Sequence, residues 1–178
     1  MQHTELFLSL AEIAGVFVGF GALISVRSGG ASGRIEVGYT RGMVAFGVLT
    51  VVAALAPVTL SLFDLPEHQI WALSSALVLV GLIVFVAAQA RTAEYRANVA
   101  AGIEATRAQS RSRWPAVLST GASVLSMIAL VLAPIVIVLG VAPALETALY
   151  FAVVVLILLC AAWLLLALVY SQRLPESA

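Results

Sequence analysis

Long apolar stretches alternate along the chain with short polar ones. Five of the apolar stretches hold about 20 residues each, the length at which an α-helix crosses the hydrocarbon core of a bilayer. They cover residues 6–26, 43–63, 70–90, 116–139 and 147–169. A backbone in lipid must satisfy its own hydrogen bonds, and the two-residue alternation of a membrane β-barrel is absent, so each stretch is predicted to be helical. The pattern predicts an all-α, polytopic membrane protein with five transmembrane helices in a single domain.

The distribution of arginine predicts the orientation of these helices. The nine basic residues other than histidine are all arginine, and they occur only between the first and second spans, between the third and fourth, and after the fifth. The start of the chain and the other two connections carry acidic residues instead. Basic residues concentrate on the cytoplasmic side of a membrane. The N-terminus is therefore predicted to lie outside the cytoplasm and the C-terminus inside.

Composition agrees with a membrane location. Of the 178 residues, 62% are hydrophobic and 10% are charged, whereas soluble domains have about 45–50% and about 25%. Arginine without lysine, with abundant alanine, valine, leucine and glycine, indicates a GC-rich bacterial genome, so the predicted location is the bacterial cytoplasmic (inner) membrane. The first apolar stretch lacks the basic start and the cleavage site of a secretory signal, and it is expected to be retained as a helix.

The longest predicted connection, residues 91–110, is expected to continue the third span as a cytoplasmic helix. It is rich in alanine, glutamate and arginine, and Arg91 and Glu94 are an i, i+3 pair. Three arginines lie at or just beyond its end: Arg107, Arg111 and Arg113. Such a basic helix is suited to docking a cytoplasmic protein partner or anionic lipid headgroups.

Spans two and three resemble spans four and five, as two copies of one helical hairpin. Leu55-Ala56-Pro57 recurs as Leu132-Ala133-Pro134, and the same separation carries Pro66 onto Pro143. The predicted architecture is therefore one lone helix plus two similar hairpins. Pro57 and Pro134 are expected to kink their helices, because proline cannot donate the hydrogen bond that the carbonyl four residues earlier would accept.

Glu12 is the ionisable residue that lies deepest in a predicted span. A carboxylate at that depth costs about 2.5 kcal/mol or more unless it faces a cavity, a partner or a proton. Two interpretations remain open. Glu12 lies on a pathway for cations or protons, or it is a protonated, hydrogen-bonded residue that fixes helix packing.

Small residues beside Glu12 predict close helix packing. Ala11, Gly15 and Gly19 are spaced four residues apart, and a GxxxG spacing allows two helix backbones to approach closely. The first span is therefore expected to pack against another helix, either within the protomer or from a second copy.

The fourth span offers further polar groups. Ser119, Ser123 and Ser126 fall on one helix face, where they line a wet cavity or bond back to their own helix. The carbonyls freed by Pro57 and Pro134 belong to Ala53 and Leu130, and they are expected to accept from a serine or threonine hydroxyl or to coordinate a cation.

The predicted outer surface gathers four acidic residues: Glu5, Asp64, Glu67 and Glu146. An acidic mouth concentrates cations, although sorting of arginine to the inside also leaves acids outside by default. His3, Glu67 and His68 lack a spacing suited to zinc, so no metal or cofactor is predicted.

No enzyme motif occurs in the sequence, and the connections are too short for a catalytic domain. Nucleic acid is excluded as a partner, because the net charge is zero and no basic, aromatic-interleaved patch exists. The first hypothesis is a homo-oligomeric ion channel with Glu12 on its pathway. The alternatives are a structural or signalling subunit that docks a partner through residues 91–110, and a small secondary transporter.

Overall fold

Five long helices follow the five apolar stretches of the sequence. The computed structural model describes residues 4–27, 34–91 and 113–171. Its helices are α1 (Thr4–Arg27), α2 (Arg34–Leu60), α3 (Glu67–Ala90), α4 (Arg113–Val138) and α5 (Glu146–Ser171). No strand occurs in these three ranges. The all-α fold class is confirmed.

Four of the helical regions are long and apolar enough to cross a membrane: Thr4–Ile24, Thr40–Phe63, Glu67–Ala88 and Pro143–Leu166. In α4, the apolar stretch found among the described residues is Leu125–Val138. These features are those of a multi-pass membrane protein. The predicted cytoplasmic helix, apart from Arg91, lies outside the described residues, as do Arg107 and Arg111.

Both connections between paired helices are tight turns. After α2, a 3-10 turn at Ser61–Phe63 leads into Asp64, whose φ of 50° reverses the chain before Pro66 and the start of α3. After α4, Gly140 has a φ of 64°, and a 3-10 turn at Pro143–Leu145 leads directly into α5. Each hairpin is thus closed by a residue with a left-handed backbone conformation, followed within three positions by a proline.

Helices α2 to α5 form a closed ring. Each packs on the next along the chain, and α5 returns to pack on α2. The interior is filled by large apolar side chains that are fully or almost fully buried: Val78, Leu130, Ile137, Val154 and Ile157. Helix α1 lies outside the ring, mainly against α2, with a smaller contact on α5.

The α1–α2 contact depends on small residues. Ala14 of α1 is fully buried, and a Cβ added to Gly47 of α2 would lie 2.8 Å from Cγ2 of Val18. A Cβ added to Gly21 would likewise overlap the side chain of Val44. The two helices approach closely because these positions carry no side chain.

An aromatic cluster fixes one end of α1 to the ring. The Phe7 ring centroid lies 6.1 Å from that of Trp71, 6.0 Å from that of Tyr150 and 5.9 Å from that of Phe151. Such tilted and edge-on pairs are favourable arrangements of aromatic rings. They place the starts of α1, α3 and α5 together at one end of the bundle.

Substituting Gly47→Leu is expected to separate α1 from α2 and to lower the free energy of unfolding by about 1–3 kcal/mol, the usual cost of overpacking. The matched control is Gly15→Leu, because no heavy atom lies within 4 Å of a Cβ added there. Unfolding of the monomer in detergent measures both variants. Equal losses in the two variants would contradict this account of the α1–α2 contact.

Candidate functional site

Glu12 lies on the face of α1 that is turned away from the ring. The buried positions of α1 are Phe7, Ala14 and Gly21, which are seven residues apart and share the side facing α2. Glu12 and the two glycines of the GxxxG spacing are exposed instead. The described protomer therefore leaves this carboxyl group uncovered.

The exposed carboxyl group lies well inside the apolar stretch. It is eight residues from the start of α1, which corresponds to about 12 Å along the helix axis. Exposed apolar side chains surround it, including Leu8 at 41%, Ile13 at 48% and Val16 at 58%. In a bilayer this face meets either lipid tails or another protein surface, and only the second offers a carboxyl group a polar partner.

The small-residue ridge predicted for helix packing is only partly used within the protomer. Ala11 is half-buried against the core, but Gly15 and Gly19 have open space where a side chain would stand. Packing within the protomer uses Ala14 and Gly21 instead. The exposed part of the ridge, Gly15 and Gly19, shares its face with Glu12.

Of the three serines predicted to line one face of α4, the structure describes the side chain of Ser126. Ser126 is half-buried, while the side chains of Ser119 and Ser123 lie outside the described set, as does that of Arg113. Helix α4 packs mainly on α3 and α5, whereas α1 packs mainly on α2.

Four acidic residues share one end of the bundle, but they differ in exposure. Glu5, Asp64 and Glu67 are exposed. Glu146 is buried, at 3% exposure, and its Oε1 atom lies 2.7 Å from Nδ1 of His68. Three exposed carboxylates and one carboxylate paired with histidine therefore occupy this end.

The backbone carbonyl of α2 that Pro57 leaves without its usual donor bonds to another helix. Pro57 has no N–H group to donate to the carbonyl of Ala53. This carbonyl instead accepts a hydrogen bond of 2.6 Å from the hydroxyl of Tyr150. Both residues are fully buried. The freed carbonyl thus ties α2 to α5, through a tyrosine and not through the serine, threonine or cation expected from the sequence.

Five buried hydroxyl residues among those described were not predicted from the sequence: Thr40, Thr50, Ser74, Ser75 and Tyr150. Tyr150 could have been identified as a candidate from the sequence, because it is the one tyrosine within a predicted span and follows Glu146 by four residues. No sequence feature distinguishes Ser74 and Ser75, since serine is common in apolar helices and often bonds to its own backbone.

Among the described residues, no group of three or more histidine, cysteine, aspartate or glutamate side chains is placed to hold a metal ion. Cys160 is a free, half-buried thiol. Comparisons with protein-family models, with curated proteins and with solved structures gave no match. The function must be inferred from the side chains of this chain and their geometry.

Substituting Tyr150→Phe is expected to lower the free energy of unfolding by about 1–2 kcal/mol, because the carbonyl of Ala53 loses its donor. Substituting Pro57→Ala restores the N–H group that this carbonyl normally uses. In the Pro57→Ala background, Tyr150→Phe should therefore cost markedly less. A double-mutant cycle measured by unfolding in detergent gives the coupling between the two sites, and strict additivity would contradict the assignment.

Proposed function

We propose that this protein assembles through α1 into a homo-oligomer in the bacterial cytoplasmic membrane and conducts cations or protons along a path lined by Glu12. The observation that carries the proposal is the exposure of Glu12, about 12 Å along an apolar helix, on the side facing away from its own protomer. Five membrane crossings, with the N-terminus outside, belong to the same proposal and are supported by the arginine pattern.

The cost of exposing a carboxyl group to lipid favours assembly through this face. A charged side chain near the middle of a bilayer costs about 2.5 kcal/mol or more, and such residues normally face a bundle interior or a water-filled cavity. Since the protomer does not cover Glu12, a second copy is the partner that supplies such an environment. Gly15 and Gly19 on the same face allow two α1 helices to approach closely.

Several copies of Glu12 around a shared axis would create a site that attracts protons or cations. Neighbouring carboxylates repel one another, so the group holds a proton or a cation in preference to remaining fully ionised. A ring of carboxylates is also a common selectivity element of cation channels. This chemistry connects the exposed carboxyl group with conduction as well as with assembly.

A pathway between protomers fits the packing of the ring better than one through its centre. The interior of α2 to α5 is occupied by buried apolar side chains such as Leu130, Ile137 and Ile157. Hydrophobic side chains in contact exclude water and ions. The outward face of α1 therefore remains the best placed surface for a conducting path.

The acidic end of the bundle supports cation preference. Glu5, Asp64 and Glu67 are exposed there, at the end from which α1 enters the apolar layer. Exposed carboxylates raise the local concentration of cations and repel anions. In the proposed orientation this end faces the outside of the cell, so cations would gather at the outer entrance.

Substituting Glu12→Gln is expected to lower cation or proton flux into liposomes by at least about tenfold, the change that a loss of 1.4 kcal/mol produces. The matched comparison is Glu5→Gln, which removes an equal charge from the same helix at the outer entrance and is expected to lower flux much less than Glu12→Gln. Flux should be measured with a pH-sensitive and a potassium-sensitive dye. Equal flux and selectivity in Glu12→Gln and the unaltered protein would reject a role for Glu12 in conduction.

Substituting Gly15→Leu is expected to weaken association between protomers roughly 5- to 150-fold, because overpacking costs about 1–3 kcal/mol. The same substitution should leave the protomer folded, since the position faces open space within it. Light scattering after size-exclusion chromatography, over a range of detergent-to-protein ratios, measures association. An unchanged oligomer would show that α1 does not form the interface.

A further inference from the structure

The outward face of α1 follows a regular spacing along the whole helix. A helix turns by about 100° per residue, so the six exposed residues nearest to the direction opposite the buried Ala14 recur at alternating steps of four and three positions. These residues, here called the outward seam, are Glu5, Ser9, Glu12, Val16, Gly19 and Leu23. The outward seam therefore repeats every seven residues, which is the period of helices that pack in a left-handed coiled coil.

The outward seam differs from the small-residue ridge of Ala11, Gly15 and Gly19. Steps of four residues rotate by about 40° each, so the ridge crosses α1 obliquely from the half-buried Ala11 to the exposed Gly19. The outward seam stays on the outward side over its full length. Gly15 and Ala22 lie along one edge of it and are exposed, and small residues there allow a neighbouring helix to come close.

Two polar side chains of the outward seam suit each other as hydrogen-bond partners. Ser9 offers a hydroxyl donor, and the carboxyl group of Glu12 accepts when ionised and donates when protonated. Both are exposed within an apolar helical region, where lipid tails offer neither a donor nor an acceptor. Side chains of a helix lean toward its N-terminus, so the Glu12 carboxyl group extends toward the level of Ser9, about 4.5 Å away along the axis.

We propose that the α1 helices of neighbouring copies pack in parallel along the outward seam, and that the Ser9 hydroxyl of one copy donates a hydrogen bond to the Glu12 carboxyl group of the next. This inference rests on the proposed assembly through α1 and names the group that partners Glu12 there. Copies inserted in the same orientation place equal residues at equal depth. The face is complementary to a second copy of itself, because it carries both the donor and the acceptor. Ser9 is thus a positioning residue for Glu12.

Disulfide crosslinking between copies tests the outward seam. The chain has one cysteine, Cys160, so Cys160→Ala gives a cysteine-free background. In that background Val16→Cys and Leu23→Cys, on the outward seam, should form disulfide-linked dimers several-fold faster than Leu8→Cys and Ala22→Cys, at its edge. All four positions are exposed in the protomer. Oxidation in native-membrane vesicles, followed by non-reducing electrophoresis, measures the rates.

The crosslinking pattern separates this inference from the proposed function. Faster crosslinking of Leu8→Cys and Ala22→Cys would overturn the outward seam in favour of a crossing centred on Gly15 and Gly19, and assembly through α1 would stand. Crosslinking of none of the four variants would reject assembly through α1 itself, and with it the proposed function, and would leave this face to lipid or to a different protein.

Substituting Ser9→Ala is expected to weaken association between copies roughly 3- to 20-fold, the range for a hydrogen bond between membrane helices. Ser9→Thr keeps the hydroxyl group and should retain association. In a Glu12→Ala background, Ser9→Ala should have little further effect. Light scattering over a range of detergent-to-protein ratios measures all four proteins.

Two results would overturn the pairing of Ser9 with Glu12. Unchanged association of Ser9→Ala would show that the hydroxyl bonds to its own helix, as those of Thr50 and Thr59 do in α2 at 2.8 and 2.9 Å. An equal loss of association with and without Glu12 would show that Ser9 acts on another group. Neither result would alter the crosslinking pattern, so the packing of α1 and the role of Ser9 are tested separately.

Discussion

Inside a bilayer every polar group must find its partner within protein, and this constraint explains the main features of the molecule. It makes the backbone helical through the described apolar segments, and it directs the carbonyl freed by Pro57 to the hydroxyl of Tyr150. It pairs the buried carboxyl group of Glu146 with His68. Glu12 is an exception among the described residues, and the need to satisfy its carboxyl group underlies the proposed assembly.

The positions of the helices could be predicted from the sequence because hydrophobic length is a local property. The predicted spans at 6–26 and 70–90 lie within α1 and α3 and differ from their bounds by at most three residues. The freed carbonyl of Ala53 was also predictable, since it depends only on a proline four residues later. Its partner was not, because the rotation of α5 against α2 depends on packing between residues far apart in sequence.

The face of α1 that packs within the protomer could likewise not be predicted from the sequence. The sequence offered Gly15 and Gly19 as a contact surface, and both residues are suited to one. The protomer instead packs through Ala14 and Gly21, because Gly47 on α2 opens a space opposite this side of α1. Which of two small-residue faces is used depends on the neighbouring helix, and a single helical sequence does not contain that information. The face with Gly15 and Gly19 therefore stays exposed in the protomer.

The bond between Tyr150 and the carbonyl of Ala53 also constrains how this chain can diverge. Pro57 creates the need for a donor, and Tyr150 gives its one hydroxyl proton to that carbonyl. Loss of Tyr150 alone leaves the carbonyl of Ala53 without a donor. Loss of Pro57 alone returns the helix N–H donor, with which the Tyr150 hydroxyl then competes. Substitutions at these two positions, on different helices and far apart in the chain, are therefore expected to depend on one another, although neither residue belongs to the face that carries Glu12.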